Sequence, residues 1–174
     1  SRGLGDVYKR QALVLMLCLM FVAPEIVKIM ATKQYYSGIY MIPPLVFASY
    51  EMYMYTVYVN VEYYYKSTKY IAFNTIVAAI TNIVLNFIFV PLYGGMAACF
   101  TTVISYMVSF LMHSKHSRKL DRELFPLKQF AVPTLIFIIA IIIAYLLMEF
   151  WIVRWIIAIV GFIFYAAYAL LTKR

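Results

Sequence analysis

The sequence predicts an all-α polytopic membrane protein with about six transmembrane helices. Hydrophobic residues make up 66% of the 174 residues and charged residues only 13%, whereas a soluble domain is usually about half apolar and about a quarter charged. Apolar stretches of about 20 residues, the length needed to cross a bilayer, occur at 12–31, 39–61, 70–91, 94–112, 129–149 and 152–171. Almost no sequence is left for a soluble domain.

Residues 1–11, SRGLGDVYKRQ, precede the first apolar stretch and lack a start methionine. They resemble a non-native leader or an assembly artefact, and they are too polar for a signal peptide. The organisation that we predict is therefore four transmembrane helices in 12–112, a cytoplasmic basic loop in 113–128 and a final transmembrane hairpin in 129–174.

The first apolar stretch ends in a charged segment that contains Pro24, Glu25 and Lys28. Glu25 and Lys28 are three positions apart on one helical face, so they can pair near the membrane interface. The alternative is that they face a cavity, where Glu25 would bind a coupling ion and Lys28 an anionic headgroup.

The second stretch carries polar residues at helical spacing, namely Glu51, Tyr55, Tyr58 and Glu62. A helix places them on one stripe. Because lipid does not tolerate carboxylates at bilayer depth, we expect this stripe to line a hydrated cavity, with Glu51 as a proton or sodium site. Structural hydrogen bonds to a neighbouring helix are the alternative.

Amides and small residues dominate one face of the third and fourth stretches. Asn74, Asn82 and Asn86 share a helical face, and each amide needs a partner or water. Contact with cargo and hydrogen bonding between helices both satisfy that need. In the fourth stretch we predict a packing face made of small residues, at Ala98, Thr102, Ser105 and Ser109.

A tight turn is predicted between the third and fourth stretches. Pro91 lacks the amide that would continue a helix, and Gly94 and Gly95 can adopt positive φ. Farther along, Glu149 and Arg154 lie beside two tryptophans, a composition typical of a membrane interface. The last hairpin is therefore predicted to turn near residue 150, with Arg154 as a second candidate headgroup cation.

The basic residues are concentrated in short segments between apolar stretches rather than in one patch. With six spans, all but three of the 15 basic residues fall on one side, the three being Lys28, Lys33 and Arg154. Basic residues favour the cytoplasmic side, so both ends are predicted to be cytoplasmic and the turn at Gly94 to face outward. The net charge of +8 therefore predicts a membrane protein and no nucleic-acid partner.

Residues 82–105, NIVLNFIFVPLYGGMAACFTTVIS, resemble the repeat signature of the prokaryotic polysaccharide flippases, which belong with the MATE-like exporters. Two upstream segments extend the resemblance over residues 21–106: FVAPEIVKIMATKQYYSGIYMIPPLVF and VEYYYKSTKYIAFNTIVAAI. The resemblance implies that the six helices are helices nine to fourteen of a fourteen-helix transporter. They would form most of its C-terminal lobe and its last helical pair, and would pair with an N-terminal lobe absent from this sequence.

That resemblance implies alternating-access transport of a polyprenyl-diphosphate-linked oligosaccharide across the cytoplasmic membrane, for surface polysaccharide synthesis. The expected partners are the bilayer, the lipid-linked oligosaccharide and the missing lobe, without a cofactor or catalytic residues. A MATE-type drug or metabolite exporter driven by an ion gradient is one alternative. A membrane-embedded transferase is the other, and it would need a converging set of His, Asp or Cys residues.

The only two histidines, His113 and His116, lie in the predicted basic loop. Their spacing of three residues could supply half of a metal site, but no Cys or further His stands nearby in the sequence. We therefore predict neither a metal site nor an enzyme.

Overall fold

The computed structural model describes residues 2–121 and 127–172. Within these residues the chain is helical and contains no strand, which confirms the predicted all-α class. The α-helices are α1 Arg2–Met30, α2 Ile42–Tyr64, α3 Thr68–Tyr93, α4 Gly95–Leu120, α5 Lys128–Leu146 and α6 Trp151–Thr172, and a 3-10 helix over Lys33–Met41 precedes α2.

Five of these helices are long and apolar enough to cross a membrane, which confirms a polytopic membrane protein. The segments that qualify are Arg10–Met30, Thr68–Tyr93, Gly95–Leu120, Lys128–Leu146 and Trp151–Leu171. Helix α2, predicted as a span over 39–61, forms a helix of 23 residues but is not among them. Its glutamates, prolines and tyrosines lower its mean hydropathy, so α2 is the least suited of the helices to contact lipid.

The chain divides into two compact units, of which unit 1 takes in Ser1–Val46 and Ile136–Arg174, and unit 2 takes in Phe47–Leu135. In unit 1, α1 packs along α6. The Sγ of Cys18 donates to the carbonyl oxygen of Ala158 at 3.6 Å, and Arg154 Nη1 donates to the carbonyl oxygen of Phe21 at 3.1 Å. Because later residues of α1 meet earlier residues of α6, the two helices are antiparallel.

In unit 2, α3 and α4 form the predicted hairpin, with a single residue between them. Gly94 adopts a φ of +68°, and its amide donates to the carbonyl oxygen of Val90. Only this glycine needs the conformational freedom that glycine provides, because Gly95 is already the first residue of α4. The prediction that Pro91 ends the helix is wrong, since α3 continues through Tyr93.

Two predicted boundaries change at the ends of the helices. Residues 113–120, predicted as part of a loop, belong to α4, and residues 122–126 of that predicted loop lie outside the described residues. Residues 2–11, which we set aside as a leader, are helical and continuous with α1. The predicted turn near residue 150 is confirmed, because α5 ends at Leu146 and α6 begins at Trp151.

Candidate functional site

The polar stripe on α2, expected to line a hydrated cavity, faces the protein interior. Glu51 and Glu62 are each 0% exposed and Tyr58 is 1% exposed, while Tyr55 is half-buried. Tyr58 packs against Phe110 of α4 and Phe130 of α5, with ring centroids 5.7 Å and 5.8 Å away. The stripe is therefore closed to solvent in this conformation.

Glu51 lies near the middle of α2 and is the most unusual group of the stripe. Both of its carboxylate oxygens are buried, and neither has a hydrogen-bond partner among the described residues. A buried ionised carboxylate without a partner is far more costly than a buried amide or hydroxyl. Glu51 must therefore acquire a proton, a cation or a polar ligand to be accommodated.

Glu62, three turns farther along the same helix, is in the opposite situation. Its Oε2 lies 2.7 Å from Nδ1 of His113, and its Oε1 lies 3.1 Å from Nδ1 of His116. Both histidines belong to α4, so one carboxylate of α2 bridges two imidazoles of a neighbouring helix. For Glu62 the structure therefore shows hydrogen bonds to a neighbouring helix, which was the alternative to a cavity-lining role.

Aromatic rings and an amide surround this cluster. Tyr55 stacks on His113 with ring centroids 5.8 Å apart, and Tyr70 of α3 stacks on His116 at 3.8 Å. The Nδ2 of Asn74 lies 3.5 Å from His113 Nδ1, at the outer limit of hydrogen bonding. Helices α2, α3 and α4 therefore all contribute to one buried polar site in unit 2.

Sequence reasoning missed this cluster because it placed the histidines in a loop. The signal that could have found them is a row of small residues at intervals of four that continues past the predicted end of the fourth span. The row is buried along its length, at Ala97, Thr101, Ser105, Ser109, His113 and Ser117. Ser105 and Ser109 were predicted in this face, whereas Ala98 and Thr102 are only half-buried.

A second polar contact joins α3 to α4. Thr101 Oγ1 donates to Asn86 Oδ1, and Asn86 Nδ2 donates to Asn82 Oδ1 at 3.0 Å. Of the two interpretations offered for these amides, the structure therefore shows hydrogen bonding between helices for Asn86, whereas Asn82 bonds Asn86 within α3.

The charged residues at the ends of α1 and α6 form an ion pair in unit 1. Arg154 is 0% exposed, and its Nη2 bonds Glu25 Oε1. The other carboxylate oxygen accepts from Trp155 Nε1 at 3.2 Å, and Lys28 Nζ lies 3.9 Å from Glu25. The predicted pairing of Glu25 with Lys28 is thus present, and Arg154 is occupied by Glu25 rather than free to bind a headgroup.

The described residues include no group of three or more His, Cys, Asp or Glu side chains arranged to hold a metal ion. Glu62 contacts its two imidazoles directly. Apolar grooves lie elsewhere among the described residues, including one of about 320 Å³ between α1, α5 and α6 and one of about 380 Å³ beside the turn at Gly94. No residue of the α2 stripe lines either groove.

No protein-family model, no curated protein and no solved structure matches the chain.

Proposed function

We propose that this chain is part of a membrane transporter that moves a polyprenyl-diphosphate-linked oligosaccharide from the inner to the outer leaflet of the cytoplasmic membrane. The observation that carries the proposal is Glu51, a carboxyl group near the middle of α2 with no exposed surface and no partner among the described side chains and backbone. Such a group is costly, and ionisable residues at bilayer depth are characteristic of ion and substrate pathways.

The physical task is to carry a polar, anionic head across about 30 Å of hydrocarbon. A hydrated cavity that opens alternately to the two sides would do this while the lipid tail stays in the bilayer. In this proposal Tyr55, Tyr58 and Asn74 offer hydroxyl and amide groups to the sugars. Their burial here corresponds to a closed conformation, and opening requires α2 to separate from the helices that cover its polar face.

Within this mechanism we assign ion coupling to Glu51 rather than to Glu25. Glu25 already accepts from Arg154 and Trp155, so its charge is compensated. Glu51 has no such counter-charge, and a proton or a sodium ion would supply it. Lys28, whose side chain is 38% exposed, remains the available candidate cation for the diphosphate.

The proposed orientation follows from the basic residues, with both ends of the chain cytoplasmic and the turn at Gly94 facing outward. The resemblance of residues 82–105 to the flippase signature supports the choice of cargo. A drug or metabolite exporter would have the same fold and the same ion site, so cargo selectivity separates the two functions.

The experiment is a flipping assay in proteoliposomes that contain the full-length parent transporter. We expect Glu51→Gln to reduce translocation of a fluorescent polyprenyl-diphosphate oligosaccharide by about tenfold or more, because an amide has no titratable carboxyl proton and no negative charge to compensate a cation. Glu149→Gln is the matched control, since Glu149 is exposed. Equal translocation by wild type and Glu51→Gln would overturn the assignment of Glu51, and translocation of a small organic cation in place of the lipid would favour the exporter.

A further inference from the structure

Glu62, His113 and His116 form a cluster, the Glu62 cluster, whose net charge depends on how many protons its two imidazoles carry. A carboxylate only accepts hydrogen bonds, so an ionised Glu62 requires an N–H on Nδ1 of both His113 and His116. With both imidazoles neutral, the cluster carries one buried negative charge. With both protonated it carries one positive charge, and with a single proton added to the pair it is neutral.

Because the Glu62 cluster is buried, the state with no net charge is favoured. Glu62 and His113 have side chains 0% and 1% exposed, and an uncompensated charge in such surroundings is costly. A site of this kind takes up one proton and resists both the loss of that proton and the gain of a second.

The two imidazole rings have different surroundings, and this difference indicates which ring carries the added proton. Nε2 of His113 is buried and has no partner within residues 2–121 and 127–172, so a protonated His113 would bury an N–H group without an acceptor. His116 is 14% exposed and stacks on Tyr70 at 3.8 Å. An imidazolium at that position is less deeply buried than one at His113 and lies over an aromatic face that attracts cations.

We propose that Glu62, His113 and His116 form a binding site for one proton, which is carried by His116 and fixes the contact between α2 and α4. Loss of the proton leaves the Glu62 carboxylate buried without a counter-charge and weakens that contact. This inference does not depend on the transport function.

Other titratable and charged groups lie on the helices around the cluster. Tyr55 of α2 covers His113 and Tyr70 of α3 covers His116. On α4, Arg118 follows His116 by two residues, and its Nε is buried. Asp121, just after α4, interacts with Tyr65, whose hydroxyl donates to Asp121 Oδ2 at 3.3 Å. None of these groups bridges Glu62 and the imidazoles.

The chain is well suited to a direct test because it contains only these two histidines. We would label the 174-residue protein with 15N-histidine, purify it with a tag free of histidine, and record nitrogen spectra in lipid bilayers from about pH 5 to about pH 8. We expect one imidazole to change between imidazolium and neutral forms, and the other to stay neutral with its proton on Nδ1. Two rings that titrate independently, or two that stay neutral throughout, would overturn the proposal.

A variant then tests whether the carboxylate causes this behaviour. Glu62→Gln should lower the titration midpoint of the exchanging ring, because the amide carries no negative charge to stabilise the imidazolium. Lys115→Gln is the control, because Lys115 is exposed beside His116. Equal midpoints in wild type and Glu62→Gln would contradict the proposal, and the wild-type spectra decide the proton count even if the variant fails to fold.

Discussion

Glu51 and Glu62 are two fully buried carboxyl groups on one helix, and they differ in what surrounds them. Glu62 bridges two imidazoles at 2.7 Å and 3.1 Å, whereas Glu51 has no hydrogen-bond partner among the described residues. A satisfied carboxylate contributes to the packing of helices. An unsatisfied one destabilises the fold, and proteins retain such groups mainly where function requires them. The comparison therefore separates a carboxylate that bonds a neighbouring helix from one that has no partner within the described residues.

The ion pair of Glu25 with Arg154 in unit 1 adds a third case to the comparison. Disrupting it gives the largest expected change in the free energy of unfolding. Replacing Arg154 by Met should lower the free energy of unfolding by about 3–5 kcal/mol, because it leaves the Glu25 carboxylate without its main counter-charge. Unfolding in mixed lipid and detergent micelles measures the change. The double variant Glu25→Gln with Arg154→Met should recover part of the loss, and a double variant no more stable than Arg154→Met would show that the pair is not the cause.

The hydrogen bond between Thr101 and Asn86 gives the smallest effect. Thr101→Val should cost about 0.6 kcal/mol, the average for hydrogen bonds between membrane helices, because it removes the donor to Asn86. Thr102→Val is the matched control, since Thr102 donates only within its own helix, to Ala98. The same unfolding assay compares the two variants, and equal losses would mean that the contact between the helices contributes nothing.

Much of the fold could be predicted from sequence because membrane helices depend on local composition. The apolar stretches located the helices, and Gly94 located the turn, since positive φ is a property of the residue itself. The extent of α4 could not be predicted in this way. Residues 113–120 are polar enough to resemble a loop, and they are helical where two of their side chains, His113 and His116, bond a carboxylate 51 and 54 residues away.

The candidate site was predictable only in part, because it too depends on contacts between residues that are far apart in the sequence. Spacing alone placed Glu51, Tyr58 and Glu62 on a buried face, because helical periodicity is local. It could not distinguish Glu51 from Glu62, since the difference lies in His113 and His116 of α4, which Glu62 contacts. Likewise Arg154 was assigned to a headgroup because its partner, Glu25, is 129 residues away.

The most direct test of this account compares the unfolding free energies of Glu51→Met and Glu62→Met in the same lipid mixture. Methionine fills a similar volume without a charge. We predict that Glu62→Met loses about 2 kcal/mol or more, because both imidazoles lose their acceptor, whereas Glu51→Met is as stable as wild type or more stable. A loss for Glu51→Met as large as that for Glu62→Met would contradict the claim that Glu51 is retained for binding rather than for folding.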